Sequence, residues 1–185
     1  MNISRLFSYE KFKGSYLYLD TQKKYEIART VLYFAISFAI FFTGIYLTGS
    51  KKNLLTIVAV LGMLPASKSL VSVIMFCRFK SFTQKISEIK ALSAYDMVFT
   101  SEKINYHVYH LCVSGGSVIG YSPDKNFDEN KFKDHIRTYL SSEGIDSITI
   151  KVFNEKNTYL SRINDLKASD EKDKKILSVL KQLVL

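Results

Sequence analysis

Residues 96–122 read DMVFTSEKINYHVYHLCVSGGSVIGYS, three apolar-rich runs separated by two turn signals. DMVFTS (96–101) turns at Glu102-Lys103, INYHVYHLCV (104–113) ends at Ser114-Gly115-Gly116, and SVIGYS (117–122) runs into Pro123-Asp124. β-Branched and aromatic residues fill the runs and Gly, Ser and Pro punctuate them, which predicts a β-meander. Side chains two apart on a strand share a face. His110 and Cys112 are therefore expected together, and His107, at odd spacing, on the opposite face.

Downstream the period changes. Between Asp128 and Ser142, Phe132, Ile136 and Leu140 recur at helical spacing, and Gly144 supplies a C-terminal stop. SITIKVF (147–153) alternates Ile148, Ile150 and Val152 with polar residues, as a half-buried strand does. Tyr159–Ala168 and Ser169–Leu185 read as helices, the second with Asp170, Glu171 and Asp173 at its positive end and a stripe of Ile176, Leu177, Leu180 and Val184. The run DEKDKK (170–175) reads as a solvated helix start. The order β-β-β-α-β-α-α from residue 95 to 185 predicts an α/β domain with a mixed sheet.

Upstream the chain is of another kind. Thr30–Ser50 holds 21 residues without a charge, and Asn53–Cys77 is interrupted only by Lys68. At about 1.5 Å per residue, each matches a hydrocarbon thickness of roughly 30 Å. With only Lys51 and Lys52 between them, they predict a two-helix transmembrane hairpin over 29–77. A cleaved signal peptide fits less well, because the first run is too long, about 28 residues precede it, and no small-residue cleavage pattern follows before the second. Residues 1–28 interleave Phe7, Tyr9, Phe12, Tyr16, Tyr18 and Tyr25 with lysines and read as an interfacial segment on anionic headgroups. Residues 78–94, with Ile86, Ile89 and Leu92 at three-residue spacing, predict a helical stalk.

Charge sets the expected topology. Residues 1–90 contain 13 Lys/Arg and 4 acids, whereas residues 91–185 contain 13 of each, so the whole net charge of +9 lies in the membrane half. Lys23, Lys24 and Arg29 before the first span, and Arg78 and Lys80 after the second, place both termini in the cytoplasm of an inner-membrane protein. Basicity thus reports topology, and nucleic acid is not an expected partner. The expected partners are the anionic inner leaflet, a second copy of the chain, or a membrane or cytoplasmic protein. Lys68 is the one ionisable group within the apolar runs. It lies nine residues from Cys77, roughly 14 Å of helix. Pro65 bends the helix below it, and the expected outcome is snorkelling toward the cytoplasmic headgroups rather than pairing across subunits or lining a pathway. The two cysteines, Cys77 and Cys112, imply no disulfide.

The run 96–122, with KFKDHIRTYLSSEGIDSITIKVFNE (131–155) after it, resembles the nuclease-related domain (NERD), a branch of the PD-(D/E)XK nuclease superfamily. The similarity covers Tyr95–Glu155 and none of the membrane half. It implies a restriction-endonuclease-like sheet with an Asp on one strand and a Glu-x-Lys pair on the next, in which the Asp and Glu hold Mg²⁺, the metal activates water, and the Lys aids the nucleophile and offsets the phosphate charge. Asp96 matches the Asp. His110 and Cys112 stand where the Glu and Lys belong, so the resemblance implies a fold without that hydrolysis.

Three readings of His110 and Cys112 follow. They fill a half-buried strand face; they join Asp96 in a zinc site, with His107 excluded by its spacing; or Cys112 is a nucleophile with His110 as its base. The first is the expectation, with no cofactor. His135, on the amphipathic helix, reads as a satisfied surface or core histidine. No P-loop, His-Glu-x-x-His, Cys-x-x-Cys or Gly-x-Ser-x-Gly pattern occurs. The expected function is a membrane-tethered, non-catalytic nuclease-like accessory subunit. The alternatives are an active metal-dependent hydrolase using Asp96, His110 and Cys112, and an oligomeric channel or transporter component.

Overall fold

Two long helices, α1 (Tyr18–Thr48) and α2 (Leu54–Cys77), form an antiparallel hairpin. The computed structural model describes residues 12–86, 90–101 and 104–185. These fall into two units, residues 19–80 and residues 12–18 with 81–185. In the first unit, Asn53 starts α2 by accepting the Thr56 N–H at 2.8 Å through its side chain. The helix then runs through Pro65 without interruption.

Small residues let the two helices approach. Thr30 Oγ1 and Ser69 Oγ share a hydrogen bond of 2.8 Å. Further along, a Cβ on Gly62 would lie 2.8 Å from Ser37 Oγ, and one on Gly44 would lie 2.8 Å from Leu55 Cβ. The α1 positions are seven apart, as are the α2 positions, so one register holds along the hairpin and places Lys68 level with Val31 and Leu70 level with Arg29. Outward, Val31, Phe42, Tyr46 and Leu47 on α1 and Leu54, Val60 and Leu64 on α2 are exposed. Both helices are long and apolar enough to cross a bilayer.

The described residues of the predicted stalk are not helical. α2 stops at Cys77 with Arg78 as its cap, residues 79–86 run without helix, and Leu92–Ala94 already belong to the first strand. Strand pairing overrides the three-residue spacing: Leu92 sits opposite Val113, and the Ile86 backbone is held by Tyr95 Oη, which donates to its carbonyl at 3.1 Å and accepts its N–H at 3.2 Å. Ile89 lies outside the described residues, as do Phe7, Tyr9 and the Glu102-Lys103 turn.

In the second unit, β1 (Leu92–Thr100), β2 (Asn105–Ser114), β3 (Ser117–Tyr121) and β4 (Thr149–Phe153) form one mixed sheet in the order β1-β2-β3-β4. The first three strands are antiparallel and β4 is parallel to β3, joined by α3 (Glu129–Ser142). The helices α4 (Lys156–Asn164) and α5 (Glu171–Gln182) follow. Phe132, Ile136 and Leu140 of α3 and Ile176, Leu177 and Leu180 of α5 bury one face of the sheet with Val108, Leu111, Ile150 and Val152. Tyr159 and Ile163 of α4, with Phe82 and Ile86, cover the other.

The exposed edge of β1 is covered by segments from elsewhere. The Tyr95 N–H donates to the Gly14 carbonyl at 2.9 Å, the Leu185 N–H to the Val98 carbonyl at 3.0 Å, and Phe99 bridges Val184. Residues 12–18 therefore belong with the sheet instead of the headgroup region expected for them. Tyr16 Oη donates to the Thr83 carbonyl, and Tyr18 is fully buried with its hydroxyl on the Leu185 carbonyl.

Asp173 departs furthest from the solvated helix start that was expected. It is fully buried, and its carboxylate accepts the N–H groups of Gly115 (2.9 Å), Gly116 (3.0 Å) and Asp170 (3.1 Å). Gly115 and Gly116 both have positive φ, at 57° and 71°, which turns their N–H groups toward one point. Burial works to raise the Asp173 pKa, but the donations from Gly116, Asp170 and Gly115 outweigh it and hold it below the usual carboxylate range. The clamp fastens the N-terminus of α5 to the β2–β3 turn. Replacing Asp173 with Ala strands three amide N–H groups, a loss of about 3–5 kcal/mol. Denaturant titration of the detergent-solubilised chain, followed by tyrosine near-UV dichroism, will show a large drop in midpoint for D173A and a smaller one for D173N.

Candidate functional site

Asp96 has a backbone φ of 53° in the middle of β1, in the left-handed region that a side chain rarely adopts. The register is not lost there, since Tyr95 pairs with His110 and Met97 with Val108. The faces, however, slip. Ala94 and Met97, three apart, both enter the α3/α5 core, as do Val108 and Leu111 on the partner strand. Strict alternation puts residues three apart on opposite sides. The consequence is that Tyr95 with Asp96, and Tyr109 with His110, project as adjacent pairs toward the α4 side.

This slip corrects the expectation for His107, which stacks on Tyr109 with ring centroids 4.0 Å apart. Tyr109 belongs to the α4-side cluster, so His107 shares the face of His110 rather than opposing it. His107 is buried, and burial lowers its pKa to about 4, against a smaller opposing effect of Asp124.

The side chains gathered around His110 form an enclosed polar knot. His110 Nδ1 lies 2.5 Å from Tyr159 Oη, which also donates to the His110 carbonyl at 3.2 Å. Cys112 Sγ is 3.8 Å from both His110 Nδ1 and Tyr159 Oη. Aromatic rings close over them. The Tyr95 ring centroid is 4.4 Å from that of His110, Phe82 is 6.3 Å away, and Tyr121 stacks on Tyr159 at 5.4 Å. His110, Cys112 and Tyr159 have no exposed surface.

Asp96 is also occupied: its Oδ1 accepts the Phe82 N–H at 2.7 Å. Asp tolerates left-handed backbone better than most residues. Here its carboxylate reaches sideways to cap the incoming strand-like segment and so seats Phe82 over His110.

Electrostatics keep the knot neutral. Burial lowers the His110 pKa to about 4. It pushes Cys112 up to about 12, with the Tyr159 hydrogen bond acting weakly the other way. Tyr159 is raised far above the ordinary phenol, first by burial and then by Cys112. At neutral pH the group is thus a thiol, an imidazole and a phenol, with neither a thiolate to attack nor an imidazolium beside it. His110 Nε2 has no hydrogen-bond partner among the described residues, but it is sealed from any substrate.

The structure brings His110 and Cys112 together, and it places Asp96 one step from the strand pair that carries them. It does not make a metal centre of them. Among the described residues no three His, Cys, Asp or Glu side chains converge to hold an ion, whereas a tetrahedral zinc site takes at least three protein ligands. Of the residues read as membrane anchors, Arg29 is an ion-pair partner, with Nη1 2.9 Å from Glu26 Oε1. Tyr159 and Phe82 went unread in the sequence as parts of the site. Each looks like a routine apolar position on its own element, and only the tertiary fold sets it against His110. No family model matches the chain, nor does any curated protein or solved structure.

Two measurements check this environment. A membrane-permeant maleimide will modify the native chain once, at exposed Cys77, and reach Cys112 only after unfolding; two fast equivalents on the native chain contradict the sealed thiol. Stability is also linked to pH. Both histidines have folded pKa values of about 4 against 6.5 when exposed, so between those values the unfolded chain binds protons that the folded chain does not. Stability is full above pH 6.5 and falls as pH drops toward 4, by at most about 1.4 kcal/mol per pH unit per histidine. Unfolding midpoints at pH 7 and pH 5 will differ accordingly, and His110→Asn will roughly halve the difference.

Proposed function

We propose that the chain is a membrane-tethered, non-catalytic member of the nuclease-like α/β class that acts by binding, as an accessory subunit at the cytoplasmic membrane face. The observation that carries this reading is the state of the inherited positions. Asp96 is spent on a backbone N–H, and His110 and Cys112 are closed against Tyr159. A metal-dependent phosphodiesterase needs open carboxylate oxygens and a cation facing a substrate, and neither is available at a knot without exposed surface. The strand order, with β2 antiparallel to its neighbours and β4 parallel to β3 across a helix, supports the kinship with restriction-endonuclease-like sheets.

The hairpin register supports the tether. With Lys68 level with Val31, the lysine Cα lies only two residues of rise, about 3 Å, beyond Arg29. Measured along α2 alone it looks 14 Å deep; measured against α1 it stands at the border where charge begins. Lys68 and Arg29 then mark the cytoplasmic headgroup level, with Lys23, Lys24, Arg78 and Lys80 beyond it, and the Lys51-Lys52 turn lies on the far side. A lysine at that level snorkels without a pathway or a partner subunit.

The test uses the purified full chain in nanodiscs with single- and double-stranded DNA and RNA, in Mg²⁺ or Mn²⁺. No cleavage above that of an Asp96→Asn variant is expected, together with less than about 0.1 zinc per chain, since a structural zinc site is stoichiometric. Nucleic acid degraded by the wild type and spared by D96N overturns the reading, as does stoichiometric zinc abolished by Cys112→Ser. For the topology, Lys52→Cys in a Cys77→Ser background will react with an impermeant maleimide from outside intact cells; protection there places the turn on the wrong side.

A further inference from the structure

We propose that the groove between α3 and the Thr100/Asn105 end of the β1–β2 pair binds a small planar ring carrying one anionic group. The cavity measures about 760 Å³, within the range of small-molecule sites. It opens on the α3 side of the sheet, away from the His110 knot, and goes beyond the accessory role proposed above.

One wall is a single stripe of α3. Lys131, His135 and Tyr139 recur at four-residue spacing and so stand above one another on one helix face. The opposite wall supplies Ser101, Ile104 and Tyr106. The chemistry is divided along the groove. Among the described residues no carboxylate lines it, and the two nitrogen-bearing side chains described there, Lys131 and His135, lie one turn apart. Lys131 Nζ is 3.0 Å from Asp128 Oδ2, but that pair is well exposed on both sides and such pairs contribute little. The ammonium can therefore turn to an incoming anion without a large loss.

Among the described residues neither His135 nitrogen makes a hydrogen bond. The ring is fixed instead by its neighbours, Tyr139 edge-on at 5.1 Å and Tyr106 at 6.4 Å. A donor held in place by packing while its polar atoms stay unused is suited to a ligand. Beyond it, Tyr139 and Ile104 each leave 44% of their surface in water. They offer an aromatic ring and an aliphatic edge on which a planar group can stack. The anion goes to Lys131 and His135, and the ring to Tyr139 and Ile104.

The chain has three histidines, which makes the test direct. Full-length chain labelled with ¹³C at histidine Cε1, in nanodiscs, is titrated with adenosine 5′-monophosphate, 4-hydroxybenzoate, inorganic phosphate and adenosine. The first two carry the same chemistry from different sources, a phosphate and a carboxylate, and the tighter binder identifies the anion. At least one of them will shift the His135 resonance saturably, with a Kd below about 1 mM, and bind about tenfold or more tightly than phosphate or adenosine alone. The His107 and His110 resonances will stay in place. Lys131→Ala and Tyr139→Ala will each weaken binding by about fivefold or more at unchanged melting temperature. The proposal is overturned if neither ring compound saturates by about 10 mM, if the two variants bind as the wild type does, or if all three histidines shift in step.

Discussion

A single left-handed residue, Asp96, sets the arrangement of the whole α4-side face. A strand that alternates strictly cannot present two successive side chains to one layer. At φ 53° Asp96 breaks the alternation, and its partner strand breaks with it at Tyr109-His110. Four side chains that would have been divided between the faces are thereby crowded onto one. The crowding explains why this face is so rich in aromatic rings. Phe82, Tyr95, Tyr109, Tyr121 and Tyr159 pack around an imidazole that has no route to water. The strain of a non-glycine residue at such a φ, of order 1 kcal/mol, is offset because the same residue's carboxyl oxygen caps the Phe82 N–H. Asp96 thus works as a backbone fastener.

The hairpin depends on a different constraint. Between helices in lipid there is no hydrophobic drive to associate, so backbone approach and interhelical hydrogen bonds must do the work. Ser37, Gly44, Gly62 and the Thr30–Ser69 pair supply both. Because these positions recur every seven residues, they fix a register as well as a contact. That register relates a charge on α2 to one on α1: Lys68 stands level with Val31, two residues from Arg29.

Much of the α3/α5 core was legible in the sequence. Ile148, Ile150 and Val152 alternate, Phe132, Ile136 and Leu140 recur at helical spacing, and both sets are buried where that periodicity puts them. Periodicity reports a face only while the element stays regular. It misread Ile86 and Leu92 as one helical stripe because three-residue spacing also arises by chance across an extended segment and a strand. It put His107 on the wrong face because the slip at Asp96 leaves no local mark beyond the residue itself, and Asp in a strand is unremarked without its φ. Asp173 was invisible for another reason. Its role is fixed by a Gly-Gly turn some 57 residues away, and a charge run reads as solvated until its partners are known. Residues 12–18 were hidden by the same non-locality: the unpaired edge of β1 claims them, and nothing in their composition names that edge.

The two faces of the sheet therefore have different uses open to them. On the α4 side His110, Cys112 and Tyr159 are neutral, buried and closed against one another. Any ligand there would have to displace packed aromatic side chains, each of which contributes several kcal/mol to the core. On the α3 side the helix leaves cationic, aromatic and hydroxyl groups lining an open groove. A domain arranged in this way can bind without touching the His110 face. Recognition can then change by substitution along the exposed face of α3, while the interior that Asp96 and Tyr159 hold together stays as it is.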